Sequence, residues 1–291
     1  MEIGDIKNIA VVGAGNMGHQ ITLLCALQGY NAACTDISEE MLQKARDFAG
    51  TYIAGRVQKG KLTDDEARAV KGRIRFAHSM KDAVADADYV IEAAVESLAL
   101  KRQIFKDLDA FTPGHAILAT NSSRIVSSRI ADATRRPEKV INLHFFNPAL
   151  VMKLVEVVNG PHCSEETAQI SFQLCGRLGK TPVMLKKEVD GFLLNRMLGA
   201  ILKEAMWLHE MGIATFEDID KACVYGAGHP MGPFRLMDLT GIDLEYHIRM
   251  ESFRNSGDRA DFPVPGVVER FMRGDYGEKT GRGWYDYSDK K

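Results

Sequence analysis

Ile6-Lys7-Asn8-Ile9-Ala10-Val11-Val12-Gly13-Ala14-Gly15-Asn16-Met17-Gly18 sets a GxGxxG pattern between a β-rich run and the start of a helical one. Each glycine has a physical reason in a nucleotide loop. Gly13 permits a tight turn, Gly15 lets a pyrophosphate approach the backbone N–H groups, and Gly18 lets helix pack closely on strand. Asn16 and Met17 complete the loop, whose N–H groups and helix dipole favour anionic phosphates. Asp36 follows Gly18 by 18 residues at the end of the next β-run, where a carboxylate can accept hydrogen bonds from an adenosine ribose. The same carboxylate would repel a 2′-phosphate, and Ile37-Ser38 offers no Arg to hold one, so NAD is expected over NADP. The motif alone would also suit FAD, or a ligand-free glycine turn with Asp36 capping a helix.

Outward from this loop the first half alternates β-rich runs with helical patterns. Strands are expected at Ile6–Val12, Asn31–Asp36, Tyr89–Ala93, Ala116–Thr120, Val140–Leu143, Leu154–Val158 and Thr181–Leu185, with helices at Met17–Gln28, Ser38–Gln58 and Leu98–Ala110. Such alternation implies parallel βαβ units. After Lys186-Lys187-Glu188 no strand pattern remains, and helical spacing runs through Leu193–Met211, Phe216–Tyr225, Pro233–Arg249 and Val264–Arg273. The expectation is an α/β chain: a Rossmann-like doubly wound domain over residues 1–188, then a smaller all-α domain over 189–291.

Composition narrows the function classes. With 291 residues, 45% hydrophobic and 26% charged, the chain can bury a substantial core. Its 37 Lys+Arg against 39 Asp+Glu give a net charge of −2, which argues against a general nucleic-acid binder. No apolar run is long enough to span a membrane and no secretory pattern opens the sequence, so a cytoplasmic protein is expected. Cys25, Cys34, Cys163, Cys175 and Cys223 are odd in number and lack CxxC spacing, which fits reduced thiols rather than disulfides or a metal site.

Polar residues stand at several strand ends: Ser122-Ser123, His144 and Glu156. In company with EAAVESLALK (92–101), ATNSS (119–123), HFFNP (144–148), MKLVEV (152–157), GFLLNR (191–196), HPMGP (229–233) and KTGRGWYDY (279–287), the sequence resembles the short-chain L-3-hydroxyacyl-CoA dehydrogenase family over almost its whole length. The resemblance implies that His144 is the catalytic acid/base and Glu156 the partner that orients it. It also implies that Ser123 and Asn195 lie beside the reacting oxygen, and that Glu96, Lys101, Asn121, Ser123 and Lys279 contact the cofactor. Coenzyme A phosphates would lie in the neighbourhood of Arg56, Lys59 and Lys61. An acyl-CoA substrate, NAD, no metal, and a homodimer formed through the helical domain complete the expectation. Alcohol oxidation needs a base for the hydroxyl proton while hydride leaves the carbon, and histidine suits that task.

Two departures from the family pattern stand beside these residues. Arg124 follows Ser123 where the family commonly has a small residue, and Gly228 precedes His229-Pro230 where it usually has Asn. Arg124 suggests a partner for a distal carboxylate, as on a 3-hydroxydicarboxylyl-CoA, and joins Arg56, Lys61, Ser123 and Asn195 as a candidate substrate contact. A hydroxy acid without coenzyme A is a further alternative, and a catalytically silent nucleotide binder a third.

Overall fold

The computed structural model describes residues 1–289. Its backbone divides into two compact units, Met1–Leu193 and one that begins at Leu194.

The first unit runs β1 (Asn8–Val12), α1 (Gly18–Leu27), β2 (Asn31–Thr35), α2 (Glu39–Gln58), α3 (Asp64–Arg73), β3 (Ile74–Ala77), α4 (Met80–Val84), β4 (Tyr89–Glu92), α5 (Leu98–Phe111), β5 (Ile117–Thr120), β6 (Val140–Phe145), β7 (Leu154–Val158), α6 (Glu165–Arg177) and β8 (Thr181–Leu185). The sheet order is β3-β2-β1-β4-β5-β6-β7-β8. The chain builds outward from β1 to β3 and then crosses to β4 on the other side of β1. That reversal opens a crevice at the carboxyl ends of β1 and β4, where doubly wound sheets bind ligands.

Alternate residues of each strand feed opposite layers. Ile9, Val11, Ile91, Ile117 and Leu143 pack with Ile21, Cys25 and Leu174 of α1 and α6. Ala10, Val12, Val90, Leu118 and Val140 pack with Phe105 and Leu108 of α5. Both faces are covered, which explains the near-continuous apolar strands.

Two features go beyond the expected βαβ alternation. The sheet is not wholly parallel, because β6 and β7 run antiparallel. Ile74–Ala77 is a strand with no counterpart among the expected runs. Its exposed Arg75 breaks the apolar signal, as an edge position allows. Helix starts follow local chemistry: Ser38 caps α2 and Thr63-Glu66 forms a reciprocal capping box on α3.

The second unit holds α7 (Leu194–Glu210), α8 (Phe216–Lys221), α9 (Pro233–Thr240), α10 (Ile242–Ser256) and α11 (Pro265–Arg273). The expected single helix over Pro233–Arg249 is two, broken at Gly241, whose φ of 108° lies outside helical space. Leu202, Met206, Phe234, Met237, Val267 and Trp284 form its core. Asp220 accepts from Phe234 N–H (2.8 Å) and Arg235 N–H (3.0 Å) at the start of α9, while Asp238 accepts from Trp284 N–H (2.8 Å) and Tyr285 N–H (2.9 Å). These two carboxylates fasten the HPMGP and KTGRGWYDY segments to the helices.

No helix among the described residues is long and apolar enough to cross a membrane. All five cysteines are unbridged, and burial pushes the Cys25 and Cys163 thiols up to about 12 and Cys34 to about 11.

Candidate active site

The fingerprint loop follows β1 into the crevice. Gly13 has φ 103°, and a Cβ there would stand 2.7 Å from the Ala93 carbonyl oxygen at the end of β4. A Cβ on Gly18 would drive into the Gly13 carbonyl. At Gly15 the situation is the reverse, since nothing lies within 4 Å of where a Cβ would be. Gly13 and Gly18 are therefore glycines for the fold and Gly15 for something that occupies open space. No side chain caps the N-terminus of α1 and its first turn carries no acid. That leaves the helix end to an anion, so these residues fit a dinucleotide pyrophosphate.

Asp36 is not a helix cap; Ser38 fills that position. Its carboxylate instead accepts from Ala14 N–H (2.7 Å) and Ser38 N–H (2.9 Å), holding the glycine loop against the end of β2. Each oxygen keeps a further lone pair for a ribose hydroxyl. Asn16 Nδ2 donates to Asn147 Oδ1 (3.1 Å), which joins the fingerprint loop to the HFFNP segment.

On the α5 face of the sheet, the strands turn polar at one end. Glu92 of β4 is in register with Thr120 of β5, Thr120 with Asn142 of β6, and His144 with Glu156 of β7. His144 and Glu156 are direct cross-strand neighbours, a spacing at which side chains meet. His144 Nδ1 lies 2.8 Å from Glu156 Oε2, and both residues are buried. A carboxylate only accepts, so Nδ1 carries the proton and Nε2 presents its lone pair. Among the described residues Nε2 has no protein partner. Glu156 Oε1 accepts from Leu193 N–H (3.0 Å). Phe192 is the one non-glycine with positive φ (50°) among the described residues, and its ring centroid stands 5.5 Å from that of His144. This left-handed backbone brings an N–H to the carboxylate and a hydrophobic wall to the imidazole together.

The loop that bears Ser123 is held from three sides. Ser122 Oγ donates to Glu96 and accepts from Ile125 N–H (2.7 Å) and Arg124 N–H (3.2 Å). Asn142 accepts from Ser127 N–H (2.6 Å) and donates to the Ile125 carbonyl (3.2 Å). Asn121 Oδ1 accepts from Phe145 N–H (2.9 Å), tying the end of β5 to the residue after His144. Ser123 Oγ has no partner among the described residues.

Lys101, expected to touch the cofactor, is only 1% exposed and turned inward. Its ammonium donates to Glu92 Oε1 (2.7 Å) and Oε2 (2.9 Å) and lies 3.4 Å from Glu96 Oε2. Glu96 is the outward member of that group, with its side chain 38% exposed. Arg56 lies in the last turn of α2 with Nε buried and unpartnered, and Lys59 and Lys61 follow the helix exposed. Asn195 stands exposed in the first turn of α7, and Lys279 pairs with Asp243; both belong to the helical unit. Asn16–Asn147, Glu92, Thr120 and Asn142 went unassigned in the sequence. Glu92, Thr120 and Asn142 sit at or near the ends of apolar strands, and only the register of neighbouring strands brings them onto one row.

Comparison with known proteins gives this constellation its context. Residues 8–189 match the family profile described as "3-hydroxyacyl-CoA dehydrogenase, NAD binding domain", and residues 191–287 match "3-hydroxyacyl-CoA dehydrogenase, C-terminal domain". The chain is 38% identical to the "Probable 3-hydroxybutyryl-CoA dehydrogenase" of Bacillus subtilis, over 98% of this chain and 99% of that protein. It is also 38% identical to the mitochondrial hydroxyacyl-coenzyme A dehydrogenase of Rattus norvegicus, over 97% and 91%. The crystal structure of (S)-3-hydroxybutyryl-CoA dehydrogenase from Ralstonia eutropha superposes with a TM-score of 0.89 at 35% identity, covering 97% of this chain and 99% of that one.

Proposed function

The chain belongs to the 3-hydroxyacyl-CoA dehydrogenase family and is an NAD-dependent oxidoreductase, and from that premise we propose that it interconverts short-chain L-3-hydroxyacyl-CoA and 3-ketoacyl-CoA thioesters, of the 3-hydroxybutyryl-CoA kind, with His144 as acid/base. The observation that carries this reading is the buried His144–Glu156 pair on the polar face of β6 and β7.

In the oxidative direction the C–H bond of the carbinol carbon breaks with its electron pair and the O–H bond breaks without it. NAD, when bound, supplies the hydride acceptor. Nε2 of His144 takes the hydroxyl proton while Nδ1–H stays bonded to Glu156. That carboxylate fixes the tautomer and faces the positive charge that forms on the ring. Ser123 and Asn195 donate to the substrate oxygen as its charge changes. Gly13, Gly15, Asn16, Met17, Gly18 and Asp36 hold the adenosine diphosphate half of the cofactor. Glu96 and Lys279 would each be contacts for its nicotinamide half when NAD is bound, with Lys101 serving through Glu96 rather than by contact. Arg56 and Lys61 are the partners this reading gives to coenzyme A phosphate, since a guanidinium and an ammonium both bind phosphate. In this reading residues 1–188 bind the cofactor and carry the base, and residues 189–291 are the helical unit through which a homodimer forms.

The test is NADH oxidation with acetoacetyl-CoA, free acetoacetate and 3-oxoadipyl-CoA, run on wild type and His144→Gln. Turnover of acetoacetyl-CoA above the other two, reduced roughly 10²- to 10⁴-fold by the substitution while NADH affinity persists, supports the reading. Preference for free acetoacetate moves the assignment to a hydroxy acid without coenzyme A. Preference for 3-oxoadipyl-CoA moves it to a dicarboxylyl substrate. Full turnover in His144→Gln removes the assigned base.

A further inference from the structure

Glu92, Thr120 and Asn142 form an in-register polar row across β4, β5 and β6, and the proposed chemistry uses none of them. Glu92 has no exposed surface, yet its carboxylate takes four hydrogen bonds: two from Lys101, one from Thr120 Oγ1 (2.7 Å) and one from Ala94 N–H (2.7 Å). Its backbone also takes part, because its carbonyl accepts from Asn121 N–H (2.7 Å). One residue on, Ala93 N–H donates to the Val12 carbonyl (2.7 Å) at the root of the fingerprint loop.

Two branches leave this carboxylate. One passes through Lys101 to Glu96, whose carboxylate then receives Ser122 Oγ. The other passes through Thr120 Oγ1, which accepts from Ser122 N–H (3.2 Å). Both converge on Ser122, and Ser123 follows directly. A buried ion pair gives little net stability, and apolar residues of similar volume often replace one without loss. A fully satisfied polar network, by contrast, holds its members in one arrangement.

We propose that Glu92 is a positioning residue that sets the outward-facing Glu96 through Lys101 and the Ser123 loop through Thr120, so that cofactor contact and substrate-oxygen contact share one buried anchor. This rests on the roles proposed above for Glu96 and Ser123.

The experiment compares Glu92→Gln, Thr120→Val and Thr120→Ser with wild type by thermal midpoint, NADH dissociation constant from fluorescence titration, and kcat and KM for acetoacetyl-CoA. Glu92→Gln, which weakens bonds to a charged acceptor on both branches, is expected to weaken NADH binding about ten-fold and to lower kcat as well. Thr120→Val cuts only the branch to Ser122, so kcat falls roughly three- to ten-fold while NADH affinity and KM hold. Thr120→Ser keeps the oxygen and recovers most of that loss. Equal kcat losses in Thr120→Val and Thr120→Ser overturn the proposal, as does Glu92→Gln binding NADH like wild type despite a lowered midpoint. Should Glu92→Gln fail to fold, the Thr120 pair decides alone. Should wild type not turn over acetoacetyl-CoA, the functional reading fails, while the NADH titration of Glu92→Gln still reads the branch through Lys101.

Discussion

Gly15 and Gly18 are three residues apart and serve different ends, which a substitution can separate. A methyl on Gly18 meets the Gly13 carbonyl, a backbone atom that cannot move without lifting α1 from β1. A methyl on Gly15 meets nothing within 4 Å, and φ there is not positive, so the fold has no objection to it. Gly15→Ala should leave stability equal to wild type or slightly higher, by up to about 1 kcal/mol, with the thermal midpoint unchanged or raised, because alanine reduces unfolded-state entropy. NADH binding should nevertheless weaken at least about ten-fold, since the methyl takes space meant for phosphate. Gly18→Ala should lose both midpoint and binding. Calorimetry paired with fluorescence titration checks the contrast, and a Gly15→Ala protein that binds NADH normally would show that the open space is not a phosphate site. At this scale the sequence was informative wherever a residue type has few uses, as with the glycines, Asp36, His144 and Glu156. It was silent on Glu92, Thr120 and Asn142, because a polar residue in a strand declares its face only when the register of its neighbours is known.

Elements were legible where periodicity acts over many residues and less so where one residue overrides it. The long α2 and α5 stand close to where their apolar spacing puts them. Gly241, with φ 108°, splits what apolar spacing reads as one helix, and β3 hides because an edge strand need not be apolar. The antiparallel turn of β6 onto β7 was the costliest omission. It makes His144 and Glu156 cross-strand neighbours, and no pattern in either strand reports its direction. Among the helical elements, the last segment is fastened by backbone N–H groups to Asp238, and Gly283 sits so close that a Cβ there would overlap its carboxylate. Gly283→Ala must therefore push the Trp284 and Tyr285 N–H groups off their acceptor. Leaving buried partners unsatisfied costs about 1–3 kcal/mol each. The variant should show a lowered midpoint, and rapid amide exchange at Trp284 and Tyr285 should accompany it. Wild-type protection at those two amides would mean that the carboxylate does not anchor this segment.

For the molecule as a whole, two surfaces decide how it behaves in solution. On the helical unit, Met197, Ile201, Trp207 and Met211 leave α7 and its end with an exposed apolar stripe, opposite the buried Leu202 and Met206. A homodimer through this unit would cover it, so Ile201→Glu should convert a dimeric sedimentation profile to a monomeric one; a wild-type monomer removes the idea. On the sheet unit, Asp109 near the end of α5 faces Arg135 (2.8 Å) and the buried Arg136 (3.1 Å), which in turn grips the Pro113 carbonyl and Thr112 Oγ1. Burial raises the Asp109 carboxyl, but the Arg135 hydrogen bond and the two guanidinium charges outweigh it and hold it below the ordinary aspartate value. A carboxylate depressed in the folded state contributes stability that is whole above its unfolded value near 4 and drains away as pH falls through the lower folded one. Asp109→Asn should therefore lower the midpoint by a constant amount from about pH 8 down to about pH 5. The gap to wild type should then close below about pH 4, as the wild-type carboxylate takes up its proton and becomes as neutral as the amide. Arg136 gives the gap its sign, because it stays charged throughout and its burial leaves it costly without an anion. Midpoints measured from pH 3 to 8 test this, and a gap that persisted undiminished at pH 3 would overturn the assignment of this stability to the charge of Asp109.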